Sequence, residues 1–240
     1  MWNIALSFLC SWLGLCAPTQ SCRVIDHLGA KHTVCSFDMD AIDVALHLDD
    51  AQGRPYRRLS KLEAALPDEP LMLMNGGMYH DDLGPVGLYV ADGQQRQRLS
   101  RKGGWGNFHL LPNGVFWGAE GTVGVTETKA FAKAGRDVDF ATQSGPMLVI
   151  DGKLHPRFIV SSDSLKIRNG VGVAGRRVHF AMSHGAVNFH DFGTLFRDVL
   201  QTPNALFLDG TVSELRAPGH RLGWSWKALG PMIAVTPRLP

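Results

Sequence analysis

The stretch NALFLDG, from Asn204 to Gly210, decides what kind of fold this chain adopts, because an apolar strand here ends at once in turn residues. Four apolar residues, Ala205–Leu208, deliver the carboxylate of Asp209 at the end of the strand, and glycine follows directly. Sheets commonly present catalytic carboxylates in this way. The alternative interpretation is a turn aspartate whose side chain satisfies its own backbone.

Short strands closed by turns recur along the rest of the chain. The predicted strands are Arg23–Ile25, Thr33–Phe37, Asp43–Leu48, Leu71–Asn75, Gly87–Val90, Asn107–Leu111, Val115–Gly118, Phe140–Ile150, Gly170–Ala174, Val178–Met182, Ala205–Leu208 and Met232–Val235. Trp224 and Trp226, two residues apart, are predicted on one further strand.

Two segments carry the spacing of helices. A short helix is predicted over Leu59–Leu66, which ends at Pro67. A second helix runs from Asn188 or Phe189 to Leu200, with apolar residues at i, i+3 and i+4 spacing on one face. Together these patterns predict an α+β fold, a single domain with a mixed or antiparallel β-sheet core and a few packed helices.

The composition is that of a folded, turn-rich globule. The 240 residues are 45% hydrophobic and include 27 glycines and 13 prolines, which is below the level of a low-complexity chain. Lysine and arginine number 24 against 22 aspartates and glutamates, so the formal net charge is +2. Because no strong positive field results, neither nucleic acid nor an anionic membrane surface is an expected partner.

The N-terminus carries a segment of a different kind. Ile4–Leu15 is a mainly apolar, uncharged run that is too short to span a bilayer and is typical of a signal-peptide core. Small and polar residues follow at Ala17–Ser21, where a signal peptidase could cut. We therefore expect residues 1–21 to be a signal peptide and residues 22–240 to form an exported domain, periplasmic or extracellular, without a membrane span. A buried N-terminal segment is the alternative.

The cysteines fit this expectation. Cys22 and Cys35 flank a stretch whose centre, Leu28–Ala30, is predicted to be a hairpin turn. An exported protein would oxidise such a pair to a disulfide, and two free buried thiols are the alternative. Thr19-Gln20-Ser21 is a poor lipobox, which disfavours a lipid anchor at Cys22. No Cys/His spacing indicates zinc.

Three further segments combine glycine with polar residues near the ends of apolar strands. Asn75-Gly76-Gly77 would let the backbone turn sharply with N–H groups facing an anion, and an ordinary turn fits equally well. Gln143-Ser144-Gly145 interrupts a strand and indicates a bulge aimed into a cleft, although a purely structural bulge is favoured. Arg168-Asn169 precedes a glycine-rich strand, where the guanidinium could hold a phosphate or carboxylate or form a surface salt bridge.

The start of the second helix offers two more polar side chains. Asn188 is expected to cap the helix, and an asparagine in this place can also hold a ligand oxygen. His190 could act as an acid or a base, but a lone histidine in an aromatic stretch is more often structural.

Taken in order, these segments resemble the phosphodiester glycosidase family over nearly all of the expected mature chain, from about Val34 to Val235. The matching pieces are NGGMY at Asn75–Tyr79, PVGL at Pro85–Leu88, PNGVF at Pro112–Phe116, QSGPMLV at Gln143–Val149, RNGVG at Arg168–Gly172, VNF at Val187–Phe189, NALFLDG at Asn204–Gly210 and GPMIAV at Gly230–Val235. The family usually continues LDG with Gly-Gly-Ser or Gly-Ser, whereas this chain has Thr211 and Val212 before Ser213. This added bulk is expected to change how a substrate fits.

The resemblance implies a substrate in which a sugar is joined through its anomeric oxygen to a phosphate ester. A phosphate leaving group is already a weak base, so it needs less help from a general acid than the alkoxide of an ordinary glycoside. The site then requires a phosphate cradle and a carboxylate near the anomeric carbon, which activates water or traps the oxocarbenium-like centre. Asp209 suits the carboxylate and Arg168 the cradle, and they are the predicted catalytic residues.

Other residues of the matching motifs are predicted to bind the substrate through side chains or backbone amides. They are Asn75, Gly76, Gly77, Gln143, Ser144, Gly145, Asn169, Asn188, Gly210 and Ser213. Glu214 and Asp191 are reserve acids. No metal-ligand spacing appears, so no cofactor is expected, and a divalent cation beside Asp209 and the phosphate stays open as an alternative.

The leading hypothesis is an exported hydrolase of glycosyl-1-phosphodiester bonds in a phosphorylated sugar or glycan of the cell envelope. The runner-up is a noncatalytic protein that binds or processes exopolysaccharide or envelope glycans with the same cleft, and the Thr211-Val212 departure keeps it open. A third hypothesis, a phosphodiesterase that breaks P–O rather than C–O, uses the same cradle. The sequence leaves the oligomeric state open.

Overall fold

The computed structural model describes residues 22–223 and 226–238, so the predicted signal peptide, residues 1–21, lies outside the described part of the chain. Strands make up most of the regular structure. They are, in chain order, β1 Cys22–His27, β2 Ala30–Asp38, β3 Ile42–His47, β4 Met72–Asn75, β5 Tyr89–Ala91, β6 Gln94–Gln97, β7 Gly114–Ala119, β8 Thr122–Glu127, β9 Phe140–Ser144, β10 Met147–Ile150, β11 Lys153–Leu154, β12 Asn169–Ala174, β13 Arg177–Ser183, β14 Asn204–Asp209, β15 Leu215–Ala217, β16 His220–Leu222 and β17 Met232–Pro237.

The helices of the described residues are short. They are α1 Leu59–Ala65, α2 Thr128–Ala134 and α3 Phe189–Thr194. A π-helical stretch, Leu195–Val199, extends α3, and a 3₁₀ turn spans Asn107–His109. Across residues 22–223 and 226–238, no helix has the length and apolar character needed to cross a membrane.

The strands form three sheets. The first has the order β1-β2-β13-β12-β14-β10-β11, the second β16-β15-β4-β17-β3 and the third β6-β5-β9-β7-β8. Each pairing of neighbouring strands is antiparallel. The predicted α+β class is therefore confirmed, with antiparallel sheets as its core.

The three sheets share one hydrophobic core. Met74 of the second sheet, Phe116 of the third and Phe180 of the first are completely buried in one cluster. The rings of Phe116 and Phe180 meet edge to face with their centroids 5.8 Å apart, a favourable aromatic geometry. Helix α3, with Phe192, and the π-helical stretch after it, with Phe196, cover the other face of the first sheet. The first sheet is thus buried on both faces.

The N-terminal hairpin has the predicted form. Leu28 and Gly29 turn the chain between β1 and β2 with φ angles of 50° and 76°, and two-residue hairpin turns require such positive φ values. Cys22 and Cys35 lie opposite each other in this strand pair and form a disulfide. The predicted turn and the predicted oxidised pair are both confirmed.

Two strand predictions need correction. The segment Asn107–Leu111 contains a 3₁₀ turn instead of a strand, because the chain enters it from Gly106 at a φ of 85° and Pro112 follows without a backbone N–H for pairing. The predicted strand Phe140–Ile150 is divided into β9 and β10. These two strands belong to different sheets, and the chain passes from one sheet to the other at Gly145-Pro146.

Some elements were not predicted, and one predicted strand is absent. Strand β8 and helix α2 were missed because most of their residues are small or polar. Helix α2 has only one large apolar residue, Phe131, so it shows no apolar periodicity. The expected strand at Trp226 is a bend with no ladder partner among the described residues. Trp224 lies outside the described part.

Candidate active site

Asp209 ends β14, and its carboxylate is held by amides on two sides. Oδ1 accepts a hydrogen bond of 2.6 Å from the N–H of Gly210, and Oδ2 accepts one of 3.1 Å from Nδ2 of Asn75. The Asp209 N–H donates to Oδ1 of Asn169 at 2.7 Å. The carboxylate therefore has a fixed position at the point where the strand opens into a turn.

Asn75 is the centre of this arrangement and is completely buried. Its Oδ1 accepts hydrogen bonds from Nδ2 of Asn169 at 2.9 Å and from the N–H of Glu214 at 2.8 Å, while its Nδ2 donates to Asp209. Asn75 belongs to β4 of the second sheet, whereas Asn169 and Asp209 belong to the first. This side chain thus joins two sheets and orients the carboxylate between them.

Burial changes the acidity of this carboxylate. Loss of hydration raises the pKa of Asp209 to about 6, and the hydrogen bonds from Gly210 and Asn75 oppose the rise by favouring the ionised form. Asp209 is therefore mostly ionised at pH 7, yet basic enough to take a proton from a nearby water. A surface aspartate of ordinary pKa is also ionised at pH 7, but it is a much weaker base.

Asp209 lines a cleft of about 620 Å³, a volume in the range that holds ligands of drug size in other proteins. Aromatic, basic and aliphatic side chains contribute to its wall, together with a second carboxylate, that of Asp81. Among them are Tyr79, His80, Trp105, His109, Val212 and Lys227. A carboxylate beside several basic groups can accommodate an anion and still act on an atom next to it.

Tyr79 supports the wall of the cleft. Its hydroxyl donates a hydrogen bond of 3.0 Å to the carbonyl of Ala228, which also lines the cleft. Burial, and secondarily the charge of Asp209, raise the pKa of Tyr79 above its ordinary value. The phenol therefore stays protonated and keeps donating to the segment that carries Lys227.

His109 also has a defined role in hydrogen bonding. Its Nδ1 lies 3.0 Å from the carbonyl oxygen of Lys102. Because a carbonyl only accepts, this nitrogen carries a proton. The hydrogen bond fixes the orientation of the His109 ring in the cleft wall.

Arg168 lies away from the cleft wall. It is completely buried, with Nε donating to the carbonyl of Val187 and Nη2 to that of Ser164, both at 2.8 Å. Its guanidinium carbon is 3.5 Å from the ring centre of Phe189. Burial lowers the pKa of Arg168 to about 10, so it remains charged at neutral pH. Nη1 has no hydrogen-bond partner among the described residues.

The side chain of Gln143 joins three segments of the fold by hydrogen bonds. Oε1 accepts hydrogen bonds from the N–H groups of Leu88 and Ser100, and Nε2 donates to the Ser100 carbonyl and to the hydroxyl of Thr128. Gln143 is buried and does not contribute to the cleft wall that Asp209 shares.

The neighbours of Gln143 in its motif are also used within the fold. The Ser144 hydroxyl donates to the carbonyl of Leu208 at 2.7 Å, which ties β9 to the strand that carries Asp209. A Cβ on Gly145 would lie 2.5 Å from the Cβ of Asn113, so this position has no room for a side chain. Both residues bring the strands together rather than line the cleft.

The glycines after Asn75 allow close approach of two segments. The N–H of Gly76 donates to the carbonyl of Pro231 at 2.7 Å. A Cβ on Gly77 would lie 2.5 Å from the hydroxyl oxygen of Thr142 and 2.8 Å from the Gln143 carbonyl. These glycines let β4 lead into the cleft while the third sheet packs against it.

The remaining predicted residues stabilise turns and caps. Ser213 donates to the carbonyls of Gly210 and Asp209, which closes the turn after the carboxylate. Asn188 caps α3 by accepting from the N–H of Asp191 at 2.8 Å, as expected for a helix start. Glu214 pairs with Arg216 at 3.0 Å.

The structure therefore brings together the residues of three motifs, Asn75, Asn169 and Asp209 with Gly210 and Ser213. Of the predicted site residues, which all lie in the described part of the chain, Asp209 alone belongs to the cleft wall, and the others, Arg168, Gln143 and Asn188 included, lie outside it. No group of three or more His, Cys, Asp or Glu side chains suited to a metal ion occurs within residues 22–223 and 226–238.

Several residues that line the cleft have no functional role in the sequence-based predictions: Tyr79, His80, Trp105, His109 and Lys227. Tyr79 and His80 continue the motif that begins at Asn75, and this position in the sequence could have marked them as candidate site residues. Trp105 lies in a run of three glycines, where a large aromatic has few neighbours to pack against. His109 and Lys227 come from irregular segments that no periodicity marks.

Comparison with known proteins places these features in a family. A model of the family described as phosphodiester glycosidase matches residues 69–218. The uncharacterized protein YigE of Escherichia coli strain K12 is 38% identical over 196 residues, which is 80% of this chain and 76% of that protein. The family match includes the segments that carry Asn75 and Asp209.

Solved structures share the fold. The catalytic domain of zebrafish N-acetylglucosamine-1-phosphodiester α-N-acetylglucosaminidase, auto-inhibited by its pro-peptide, is 12% identical and matches with a TM-score of 0.64 over 90% of this chain and 82% of that one. A protein of Burkholderia pseudomallei K96243 described as exported is also 12% identical, with a TM-score of 0.57 over 87% and 74% of the two chains.

Proposed function

The chain belongs to the phosphodiester glycosidase family, and from this premise we propose that it is an exported hydrolase that cleaves the bond between a sugar and a phosphodiester in an envelope glycan or glycoconjugate. The observation that carries the proposal is the carboxylate of Asp209. It lies in a cleft with basic side chains, is oriented by Asn75 and has a pKa raised to about 6.

The reaction breaks the bond between the anomeric carbon and the bridging oxygen of the phosphate. The phosphate leaves with the electron pair, and a water oxygen forms the new bond to the sugar. Asp209 acts on this centre either as the base that takes the proton of water or as the group that first traps the oxocarbenium-like carbon. Since the leaving group is a weak base, the cleft needs positive charge more than it needs a second acid.

We assign the phosphate contacts to Lys227, His80 and His109, because these basic side chains line the same cleft as Asp209. Arg168 is assigned a positioning role instead. Its guanidinium donates hydrogen bonds to the carbonyls of Val187 and Ser164, and the residue directly precedes the strand that carries Asn169. This assignment modifies the sequence-based expectation that Arg168 contacts the phosphate.

Export is supported by features at the N-terminal end. The disulfide between Cys22 and Cys35 is typical of oxidising compartments. It begins directly after the segment whose pattern predicts a signal peptide. The similarity to a protein described as exported agrees with this location.

The test uses protein produced with its own N-terminal segment and collected from the periplasm. It is incubated with sugar-1-phosphodiesters in ¹⁸O-labelled water, and the products are analysed by mass spectrometry. We expect the label in the free sugar and an unlabelled phosphomonoester. Label in the phosphate would show P–O cleavage and reject the glycosidase mechanism.

Two variants accompany this assay. Asp209→Asn should lower turnover roughly 10²- to 10⁴-fold, while Asp198→Asn, which changes an exposed carboxylate paired with Arg197, should leave turnover unchanged. Equal loss in both variants would reject the role of Asp209.

A second candidate function is binding without catalysis, and one observation favours it. Val212, which stands where the family usually has glycine, lines the cleft beside Asp209. A side chain there narrows the space for a sugar at the reacting position. Tight binding of the phosphodiesters without any product after long incubation would select this candidate.

A further inference from the structure

We propose that Trp105 is a stacking platform for a sugar ring and that Trp226, in the chain segment of Lys227, is a second platform, so that the substrate is a glycan of several sugar units. This inference deepens the proposed function by naming the substrate class. It concerns sugar units beyond the bond that is cleaved.

Trp105 presents its whole side chain to solvent at the cleft. It is 99% exposed and lines the same cleft as Asp209. It stands between Gly104 and Gly106, and Gly106 has a φ of 85° that favours glycine. A loop of this composition offers little apolar surface to cover an indole.

Trp226 repeats these properties on another segment. It is 77% exposed and directly precedes Lys227, whose Nζ lies 5.7 Å from the indole centroid. The next residue, Ala228, is held by the hydroxyl of Tyr79 and lines the cleft. The second indole is therefore attached to the cleft wall through a short, anchored stretch of chain.

The two tryptophans differ from a structural tryptophan of the same chain. Trp117 is 8% exposed, donates from Nε1 to the hydroxyl of Thr126 at 2.9 Å and packs beneath the guanidinium of Arg136. Among the large hydrophobic side chains that are exposed in the described residues, only Trp105 and Trp226 are aromatic. Trp105 lines the cleft and Trp226 directly precedes Lys227, which lines it, and aromatic side chains in the wall of a cleft commonly contact its ligand.

The chemistry of an exposed indole fits a sugar ring. A pyranose has a face of C–H groups that is apolar and an edge of hydroxyl groups that stays in water. An indole lying against the C–H face removes apolar surface of both partners from water, while the hydroxyl groups keep their hydrogen bonds. A cleft of about 620 Å³ has room for more than one ring beside a phosphate.

The first experiment measures binding without catalysis. Neutral hexasaccharides of α-linked glucose, β-linked glucose and β-linked N-acetylglucosamine are titrated into the full protein and followed by calorimetry. We expect at least one to bind, and Trp105→Ala to weaken its binding tenfold or more. Trp105→Phe should restore most of the affinity, because a flat ring remains.

Matched controls distinguish stacking from a general loss of apolar surface. Val24→Ala shortens another exposed apolar side chain, on β1, and should leave binding unchanged. Trp226→Ala should weaken binding less than Trp105→Ala does, because Trp226 reaches the cleft only through its neighbours. Thermal unfolding of each variant checks that the fold is intact.

A second experiment separates this inference from the proposed hydrolase activity. With a phosphodiester that carries one sugar, Trp105→Ala should lower kcat/KM only about threefold, because a short substrate leaves most of the platform unused. With a phosphodiester that carries a longer glycan, it should lower kcat/KM tenfold or more, mainly through KM. If Trp105→Ala lowers kcat/KM by the same factor on both substrates, the inference is wrong, while the proposed hydrolase activity is unaffected.

Two results of the binding experiment also overturn it. One is a wild-type protein that binds none of the hexasaccharides at millimolar concentration. The other is binding to vesicles of anionic phospholipid that is lost in Trp105→Ala, since exposed tryptophans also insert into membrane interfaces. Absence of hydrolysis on every substrate would reject the proposed function, while the calorimetry would still decide whether Trp105 binds glycans.

Discussion

At Asp209, burial and hydrogen bonding act on one carboxylate in opposite directions. Burial raises the pKa to about 6, while Gly210 and Asn75 stabilise the ionised form. If the ionised form acts at the anomeric carbon, kcat/KM falls below about pH 6 with the slope of a single proton. A pH profile measured with a substrate of constant charge checks this. An acid limb near pH 4, where an ordinary aspartate titrates, would contradict it.

The same residue links activity to stability. Because the pKa of the folded state lies above the ordinary value of 3.8, ionisation destabilises the fold as the pH rises from about 4 to about 6, and the loss persists at pH 7. Asp209→Asn removes this charge, although its new amide then faces the amide of Asn75. We expect a gain of about 1 kcal/mol in the free energy of unfolding at pH 7, no gain near pH 4, and a loss of activity of roughly 10²- to 10⁴-fold.

Urea unfolding at the two pH values measures this gain. Asp198→Asn is the control, because that carboxylate is exposed and its pKa is lowered by the hydrogen bond from Arg197. The same gain for both variants at pH 7 would show that the effect does not come from burial.

At the scale of elements, β4 and the segment after it must pack tightly against the third sheet. Gly77→Ala places a methyl group 2.5 Å from the hydroxyl of Thr142 and 2.8 Å from a backbone carbonyl. We expect a loss of about 1–3 kcal/mol in unfolding free energy, the usual effect of overpacking. Gly185→Ala, with no atom within 4 Å of the added carbon, should cost far less. Equal losses would show that the space around Gly77 adapts.

A variant of Arg168 tests whether this side chain stabilises the segment that leads into strand β12. Arg168→Met keeps an unbranched chain but removes the guanidinium, which leaves the carbonyls of Val187 and Ser164 without this donor. We expect a loss of about 2–3 kcal/mol in unfolding free energy. At a temperature where the variant is folded, KM for a phosphodiester should change less than tenfold. A much larger rise in KM with unchanged stability would show that Arg168 contacts the phosphate, as the sequence pattern predicts.

Motifs that end strands were the predictable part of the site. Asn75 and Asp209 each follow an apolar run, and the structure joins their side chains across two sheets. The direction of Arg168 was not predictable, because its guanidinium packs against Phe189 of a helix distant in sequence. Lys227 escaped prediction for a different reason, since it lies in an irregular segment where neither periodicity nor turn chemistry marks a residue.

At the scale of the whole molecule, the disulfide restrains one edge of the first sheet. Cys22 and Cys35 enclose a loop with a sequence separation of 13, and loss of such a bond costs about 2–3 kcal/mol. The double variant Cys22→Ala and Cys35→Ala should therefore unfold at lower urea concentration. Its activity at low temperature should be unchanged, because β1 lies four strands from β14 in the sheet. Loss of activity in the folded variant would contradict this separation of stability from catalysis.

The hydrogen bond between Asn75 and Asp209 also bears on when the protein becomes active. Its two residues are 134 positions apart in the chain, so the ribosome adds Asn75 long before it adds Asp209. A nascent chain that ends before Asp209 cannot form the pair, and neither can a chain that is held unfolded. The hydrolase proposed above would therefore be inactive toward the glycans of the cell that makes it until both segments have been synthesised and folded together.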